Sequence, residues 1–175
     1  MRSAILRQYR IFLLIALLIM LAPQAYAGNY GPAPDKLQAA LFVKILAMSK
    51  EISSAKNVSI HVINASAVAT QLRKAVGRKI GKSVLASVNA SANIPAEPPT
   101  ILYIGADTDT DKLVRYCRQN GVLSITGIPR LVKRGVTLGV GLSDNKPIIL
   151  LNISSCKAEK ITWNPTLLKL SIIHR

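Results

Sequence analysis

From residue 35 onward, the hydrophobic pattern alternates between helix-like and strand-like segments. Apolar residues recur every three to four positions over 36–52, which predicts a helix with Asp35 as its N-cap. Residues 58–63 alternate between apolar and polar side chains and are rich in β-branched residues, so they predict a strand. Helical spacing then resumes over 66–76 and stops at Gly77, where glycine favours a helix end.

The middle of the chain continues this alternation. It predicts a strand at 80–89, a loop with three prolines at 93–99 and a second strand at 100–104. A helix at 111–120 and a third strand at 122–126 follow. The run at 100–104 is continuously apolar after Thr100, which is typical of a central strand covered on both faces. Gly121 follows the predicted helix as its terminator.

The last third of the chain has a different pattern. Two strands, at 136–142 and 147–153, surround the turn residues 143–146 and predict a hairpin. Asn164 and Pro165 then suit the N-cap and first turn of a short helix over 166–172. Strands that alternate with helices early and pair as a hairpin late predict a single three-layer α/β domain with a mixed sheet, a C-terminal hairpin and a short helix.

The first residues have the pattern of a secretory signal peptide. Three arginines precede an uninterrupted apolar run at 11–22, and Ala25 and Ala27 supply the small residues of a cleavage site before Gly28. The apolar run is shorter than the roughly 20 residues that span a membrane, although an uncleaved anchor is the alternative. The chain therefore divides into a signal peptide, a flexible leader and one domain, at 1–27, 28–35 and 36–175. Export to the periplasm is the predicted localisation.

The charge is strongly positive. Cleavage after Ala27 would remove three arginines and lower the formal net charge from +15 to +12. Nucleic-acid-binding proteins concentrate their cations and interleave them with aromatic side chains, whereas here the cations are spread and aromatics are few. Together with export, this argues against a nucleic-acid partner. Attraction to an anionic membrane surface, attraction to an acidic partner, and charge without a specific purpose remain open.

One cluster of cations stands out. Arg130, Lys133 and Arg134 lie within five residues, between Gly127 and Gly135. Because glycines bracket this segment, which we call the basic turn, its cations are expected to project from the edge of the fold. We predict that they contact an acidic face of a partner or an anionic membrane surface. The alternative is a solvated turn that only keeps the protein soluble.

The chain has two cysteines, Cys117 and Cys156. Disulfides form and persist outside the cytoplasm, so an even number in an exported chain predicts one intramolecular bridge. The alternative is two separately buried thiols, because Cys117 falls on the apolar face of its predicted helix.

The sequence contains no recognisable catalytic site. His61 lies within a predicted strand and His174 lies beside the C-terminus. They could act as an acid–base pair only if the fold brought these distant segments together. The nucleophile-elbow motif, the Cys-x-x-Cys and His-Glu-x-x-His motifs and a phosphate-binding glycine loop do not occur. We therefore predict that the protein is not an enzyme, with no catalytic residues and no cofactor.

The acidic cluster Asp107, Asp109 and Asp111 resembles the start of a calcium-binding loop. However, Arg118 occupies the twelfth position, where such loops need a bidentate glutamate. We interpret the aspartates as a helix N-terminus, where acidic side chains are favoured electrostatically, and predict no metal site.

Several motifs together resemble the YfiR-like family. These are 122–135, a hairpin ending in Leu150-Leu-Asn152, the helix Leu167-Leu-Lys-Leu170, and the earlier segments 40–45, 77–81 and 101–105. The resemblance covers about residues 37 to 172. Two features depart from it: the family's first helix usually ends in Trp-Pro, where this chain has Met48-Ser-Lys50, and a single Gly135 replaces a glycine pair.

The resemblance implies a periplasmic protein of Gram-negative bacteria with a Rossmann-like α/β domain. The best-known role in that family is to repress a membrane-bound diguanylate cyclase, with the redox state of disulfides as one input. The family's usual cysteine positions do not map onto Cys117 and Cys156. The resemblance predicts a non-enzymatic regulator whose partner is the periplasmic domain of an inner-membrane signalling protein. Separately from the resemblance, an anionic membrane surface, which the charge suggests, and a homodimer are the further partners considered.

Two other functions remain as alternatives. The predicted sheet resembles half of a solute-binding protein, and small-ligand binding would place a pocket at the strand ends near Gly105–Asp111. An undetected enzyme would instead bring an acid–base pair together in the fold.

Overall fold

A computed structural model describes residues 30–175 of the 175-residue chain. The predicted signal peptide, its cleavage site between Ala27 and Gly28 and the first two residues of the predicted leader lie outside the described residues. Within 30–175, no helix is both long enough and apolar enough to cross a membrane.

The described residues form a mixed sheet covered by helices. The strands are Gly31–Pro32 (β1), Val58–Ile63 (β2), Lys79–Ile80 (β3), Ser83–Ser91 (β4), Ile101–Ile104 (β5), Leu123–Thr126 (β6), Leu138–Ser143 (β7), Lys146–Asn152 (β8) and Ser171–His174 (β9). The helices are Asp35–Leu46 (α1), Lys50–Ser54 (α2), Ser66–Arg73 (α3), Thr110–Asn120 (α4), Arg130–Lys133 (α5), Ile153–Ala158 (α6) and Pro165–Leu170 (α7).

The strand order confirms the predicted three-layer α/β fold. It runs β3-β4-β2-β5-β6-β7-β8-β9, and β1 pairs with β7. The five central strands, β4-β2-β5-β6-β7, are all parallel. Their order is the 2-1-3-4-5 order of a doubly wound sheet, in which chain crossovers place helices on both faces. The predicted hairpin is the antiparallel pair β7–β8.

Two hydrophobic clusters lie on opposite faces of this sheet. Helices α1 and α3 pack on the first face, where the strand residues include Ile60, Val62 and Tyr103. Helices α4 and α5 pack on the second face, which includes Leu102 and Ile104. The side chains of β5 are buried at every position because both faces are covered, as its continuous apolar run predicted.

The predicted helix 36–52 is divided in two. Helix α1 ends at Leu46, and α2 begins after Ser49, whose side chain accepts a hydrogen bond from the Ile52 amide. The break lets 48–50 pair with the C-terminal segment, since the Lys50 amide donates to the Thr162 carbonyl. The cause of the break therefore lies more than 100 residues away in sequence.

The C-terminal region contains two elements that the pattern did not separate. Helix α6 follows β8 directly, with Asn152 as its N-cap through a hydrogen bond from the Ser155 amide. The predicted helix 166–172 ends early, and Ser171–His174 adds to the sheet as β9, parallel to β8. The Ser171 hydroxyl donates to the Leu167 carbonyl at the point where α7 changes into β9.

The predicted leader is also partly structured. Gly31 and Pro32 pair antiparallel with Leu142 and Gly141 of β7. A two-residue strand can include a proline because only the groups that face β7 need to pair.

Candidate functional site

The basic turn folds as a short helix anchored by its apolar side chains. Leu131 and Val132 of α5 are buried, whereas Arg130, Lys133 and Arg134 are exposed. Gly135 ends the turn at a φ of +103°, a backbone conformation that glycine adopts without strain. The three predicted partner-binding cations therefore project together from the second face of the sheet.

Little in the described structure neutralises these cations. Arg134 lies 3.3 Å from the Asp111 carboxylate, and both side chains are at least half exposed. Between residues 30 and 175 this is the one ion pair within 4.0 Å, although this region holds 20 lysines and arginines. The positive charge of the surface is thus left open to an external partner.

An apolar edge adjoins the basic turn. Of the five large hydrophobic side chains that are exposed within residues 30–175, three are in α7 and β9, namely Leu168, Leu170 and Ile173, and Leu170 is 65% exposed. The final residue of β9, His174, lies near Lys133. Burial lowers the pKa of the His174 imidazole, and the positive charge of Lys133 lowers it further. The end of β9 therefore lies beside the basic turn.

The two histidines do not form a catalytic pair. His61 lies on β2 and His174 on β9, and four strands separate them in the sheet. The His61 Nε2 atom is 2.9 Å from the Ser91 hydroxyl, and burial lowers its pKa. The enzyme alternative required an acid–base pair, and these histidines do not supply one.

The acidic cluster is arranged as a helix N-terminus. The Asp109 carboxylate accepts a hydrogen bond of 3.1 Å from the Lys112 amide and so caps α4, while Asp111 faces Arg134. No group of three metal-ligating side chains occurs within 30–175.

Two turns close the gap between β2 and β5, where a pocket near Gly105–Asp111 was expected. The Gly105 amide donates to the Ile63 carbonyl at 2.9 Å, and the Asn64 side-chain amide donates to the Asp107 carbonyl at 3.4 Å. A Cβ atom at residue 105 would overlap the carbonyl oxygens of Ile63 and Asn64. The turns therefore touch where doubly wound folds usually bind ligands.

A cleft of about 490 Å³ lies one strand further along instead. It sits at the carboxyl ends of β2 and β4, with Asn64, Ser66 and Ser91 on one side and Asp35 among its other lining residues. The first turn of α3 has no side-chain cap, so its backbone amides are free to meet a polar ligand.

The side-chain amide of Gln38 is buried at the carboxyl ends of β5 and β6. The Tyr103 hydroxyl donates to the Gln38 Oε1 atom at 2.7 Å and accepts a hydrogen bond from the Gly127 amide. Gln38 in turn donates to the Ala33 carbonyl at 2.6 Å. Burial raises the pKa of Tyr103 to about 12, so its phenol remains a neutral donor. Helix α1 thereby closes the carboxyl ends of β5 and β6.

The structure does not show the predicted disulfide: Cys117 and Cys156 are free, buried thiols. Cys117 packs with the α4 side chains on the second face, whereas Cys156 belongs to the cluster of the first face, where Trp163 donates an N–H to its sulfur at 3.3 Å. Burial raises the pKa of Cys156 to about 11 and that of Cys117 further still, so both thiols are poor nucleophiles.

We expect neither cysteine to react with iodoacetamide in the native protein. Denaturation in guanidinium chloride without any reductant should expose both thiols, and the intact mass should then show two carbamidomethyl groups. A mass without added groups before reduction would instead indicate a disulfide between Cys117 and Cys156.

A buried carboxylate is the residue that the sequence pattern missed. Glu159 is only 1% exposed, and its two oxygens accept hydrogen bonds from the amide and the hydroxyl of Ser124, at 2.9 and 2.6 Å. The same hydroxyl accepts from the Thr137 amide, which links β6 and β7 to the turn after α6. Burial raises the pKa of Glu159 to about 7, although the Ser124 hydrogen bonds oppose the shift. In sequence, Lys-Ala-Glu-Lys resembles an ordinary solvated surface.

Comparisons with known proteins agree with this fold. The sequence model of the YfiR/HmsC-like family matches residues 35–172. A solved structure titled as a conserved domain protein from Vibrio cholerae O1 biovar El Tor is similar over 82% of this chain, with a TM-score of 0.54 and 11% sequence identity. The similarity spans 60% of that protein, less than two thirds of its length, and at this identity it shows the fold alone. No curated protein is significantly similar to the chain.

Proposed function

Because the chain belongs to the YfiR/HmsC-like family, we propose that it is a periplasmic repressor that binds the outer domain of an inner-membrane diguanylate cyclase. In general terms, the family suggests a periplasmic regulator of cyclic-di-GMP signalling rather than a catalyst. The signal-peptide pattern that precedes Gly28 supports the same compartment.

The family match carries this proposal. It extends from the first residue of α1 to the second residue of β9, so it includes the core, both helical layers and the basic turn. The uncompensated positive surface supports a binding role, since cations without intramolecular partners remain free to attract an anionic one.

Repression then follows from selective binding. A protein that binds the inactive conformation of the receptor's outer domain more tightly than the active one shifts the population toward inactivity. A tenfold shift needs a difference of about 1.4 kcal/mol in binding free energy, which a few contacts can supply. The basic turn and the apolar edge of α7 and β9 are the proposed contact surface.

Changing Arg130, Lys133 and Arg134 to alanine should slow association with the receptor domain and flatten its salt dependence. Exposed charges act mainly on the association rate, which is where steering has its effect. The melting temperature should change little because exposed charges contribute little to stability. Stopped-flow association rates at low and moderate salt test this expectation.

The matched control for this variant removes the same charge elsewhere. Lys56, Lys146 and Lys157 are exposed and lie outside the basic turn. If the control triple variant slows association as much as the basic-turn variant, the effect belongs to net charge and not to this surface.

A direct binding assay tests the proposed partner. The purified residues 28–175 should bind the isolated periplasmic domain of at least one membrane diguanylate cyclase of the same organism in biolayer interferometry. Absence of binding to all of these domains, with the protein folded by circular dichroism, would refute the partner assignment.

The cleft at the ends of β2 and β4 favours small-ligand binding as a second candidate function. A panel of amino acids and dicarboxylic acids tests it by thermal shift. A ligand of the cleft should raise the melting temperature of the wild type but not of Ala67→Trp, which places an indole in the cleft.

A further inference from the structure

A second basic surface lies between α1 and α3, on the face of the sheet opposite the basic turn. A groove of about 250 Å³ separates the two helices here. Its small apolar lining residues, which we call the floor, are Ala39, Ala40 and Val43 of α1 and Ala75, which follows the end of α3. Small side chains let the backbone of another segment approach the helices closely, whereas larger side chains in the floor would keep it away.

Four cations line the rims of this groove. Lys36 and Lys44 come from α1, and Lys74 and Arg78 come from the end of α3 and the turn that follows it. All four side chains are exposed, and none has a carboxylate within 4.0 Å in the described structure. No acidic residue lines the groove.

The surrounding chain strengthens this asymmetry of charge. Residues 35–82 contain nine lysines and arginines but two acidic residues, Glu51 and Asp35, and Asp35 lines the cleft at the ends of β2 and β4. The Glu51 carboxylate accepts hydrogen bonds from Ser49 and Thr162, at the end of the molecule where α1 and α2 meet. The groove therefore has a positive rim that nothing in its own segment neutralises.

We propose that this groove is a docking site for an acidic amphipathic helix of a protein partner. An amphipathic helix places its apolar stripe on a floor of this kind and its polar flanks at the rims. Lys36 and Lys44 are eight residues apart, or about 12 Å along α1, which matches two turns of an incoming helix. Glutamate or aspartate side chains on the flanks of that helix complement the four cations.

The concave shape favours a helix over a membrane surface. A flat anionic bilayer would meet the four cations but would leave the apolar floor between them uncovered. A helix covers the floor and meets the rims in the same pose. This site goes beyond the proposed function, because it lies on the other face of the sheet from the basic turn and requires only an acidic helical partner.

A model peptide tests the proposal directly. The probe is a fluorescein-labelled 18-residue helix with leucine and alanine on one face and glutamate on the others, and its binding to residues 28–175 is followed by fluorescence anisotropy. The wild type should bind this peptide, and binding should weaken with salt. A peptide of the same composition in scrambled order, without an apolar face, should bind roughly tenfold more weakly.

Two variants locate the binding site. Reversing the rim charges with Lys36→Glu, Lys44→Glu, Lys74→Glu and Arg78→Glu should reduce affinity at least roughly tenfold. The matched variant with Lys56, Lys112, Lys146 and Lys157 changed to glutamate should retain most of the affinity, within roughly threefold. Ala40→Trp alters the exposed part of the floor without any change of charge and should also reduce binding.

Several results would overturn the proposal. Equal binding of the ordered and scrambled peptides would show attraction to negative charge alone. Equal losses from the rim and matched variants would place the site elsewhere, as would unaltered binding by Ala40→Trp. Binding to phosphatidylglycerol vesicles that depends on the rim cations, without binding of the helical peptide, would assign the groove to lipid.

Discussion

The wild-type protein should lose stability relative to a Glu159→Gln variant as the pH rises from 5 to 8. The folded-state pKa of Glu159 is raised from 4.5 to about 7, so between these values the folded state binds more protons than the unfolded state. Stability from this residue is therefore complete below pH 4.5 and is lost as the pH rises through 7. The shift corresponds to a loss of about 3 kcal/mol in the free energy of unfolding.

Glutamine is the informative replacement because it keeps the shape of the side chain and cannot titrate. Its carbonyl oxygen can accept the Ser124 amide proton, and its amide can donate to the Ser124 hydroxyl oxygen. Urea unfolding at pH 5, 6, 7 and 8 measures the difference between the two proteins. The exposed Glu97 supplies the control, since Glu97→Gln removes one acidic charge without touching the core.

Parallel pH profiles for the wild type and Glu159→Gln would contradict this account of the buried carboxylate. The comparison must be a difference between variants, because burial lowers the pKa of His61 and of His174. As the pH rises, those two shifts stabilise the folded state, which is opposite to the effect of the raised Glu159 pKa. Subtraction of the variant removes their contribution.

Gly105→Ala should lower the free energy of unfolding by about 2 kcal/mol, in the range for overpacking at a closed site. The added methyl group would overlap the carbonyl oxygens of Ile63 and Asn64, which are backbone atoms and cannot turn away as a side chain can. The turns after β2 and β5 would have to separate, with loss of the 2.9 Å hydrogen bond from Gly105 to Ile63.

Gly31→Ala is the matched control, because a Cβ atom at that position meets nothing within 4 Å. Thermal unfolding followed by circular dichroism compares both variants with the wild type. Unchanged melting of Gly105→Ala would mean that the two turns are not held together as described.

Elements set by local pattern could be predicted from the sequence. The bounds of β2 were predicted at 58–63, and the apolar run that follows Thr100 identified a central strand. The hairpin also followed from its turn residues. These segments succeed because their burial is set by the regular alternation or continuity of their own side chains.

Elements set by distant partners could not be predicted. The helix break after Leu46 depends on the pairing of residues 48–50 with 162–164, and the sequence near Met48 gives no sign of this break. The change from α7 to β9 occurs within a continuous apolar stretch, where periodicity does not distinguish helix from strand. Cys117 and Cys156 are free and belong to different hydrophobic clusters, which a cysteine count does not reveal.

The candidate surfaces divide in the same way. Glycines bracket the basic turn in sequence, so the exposure of Arg130, Lys133 and Arg134 could be expected, whereas the Arg134–Asp111 ion pair required the fold. The groove between α1 and α3 joins cations more than 30 residues apart and has no local signal. The buried Glu159 carboxylate accepts hydrogen bonds from Ser124, 35 residues earlier, and its sequence neighbours gave no indication of this.

The intracellular concentration of cyclic-di-GMP most directly tests the proposal that this chain, once exported, represses a membrane diguanylate cyclase. Deletion of the gene should raise this concentration, and expression of the full chain should restore it. Expression of a form without residues 1–27, retained in the cytoplasm, should not restore it. An unchanged concentration after deletion, or equal rescue by the cytoplasmic form, would contradict the account.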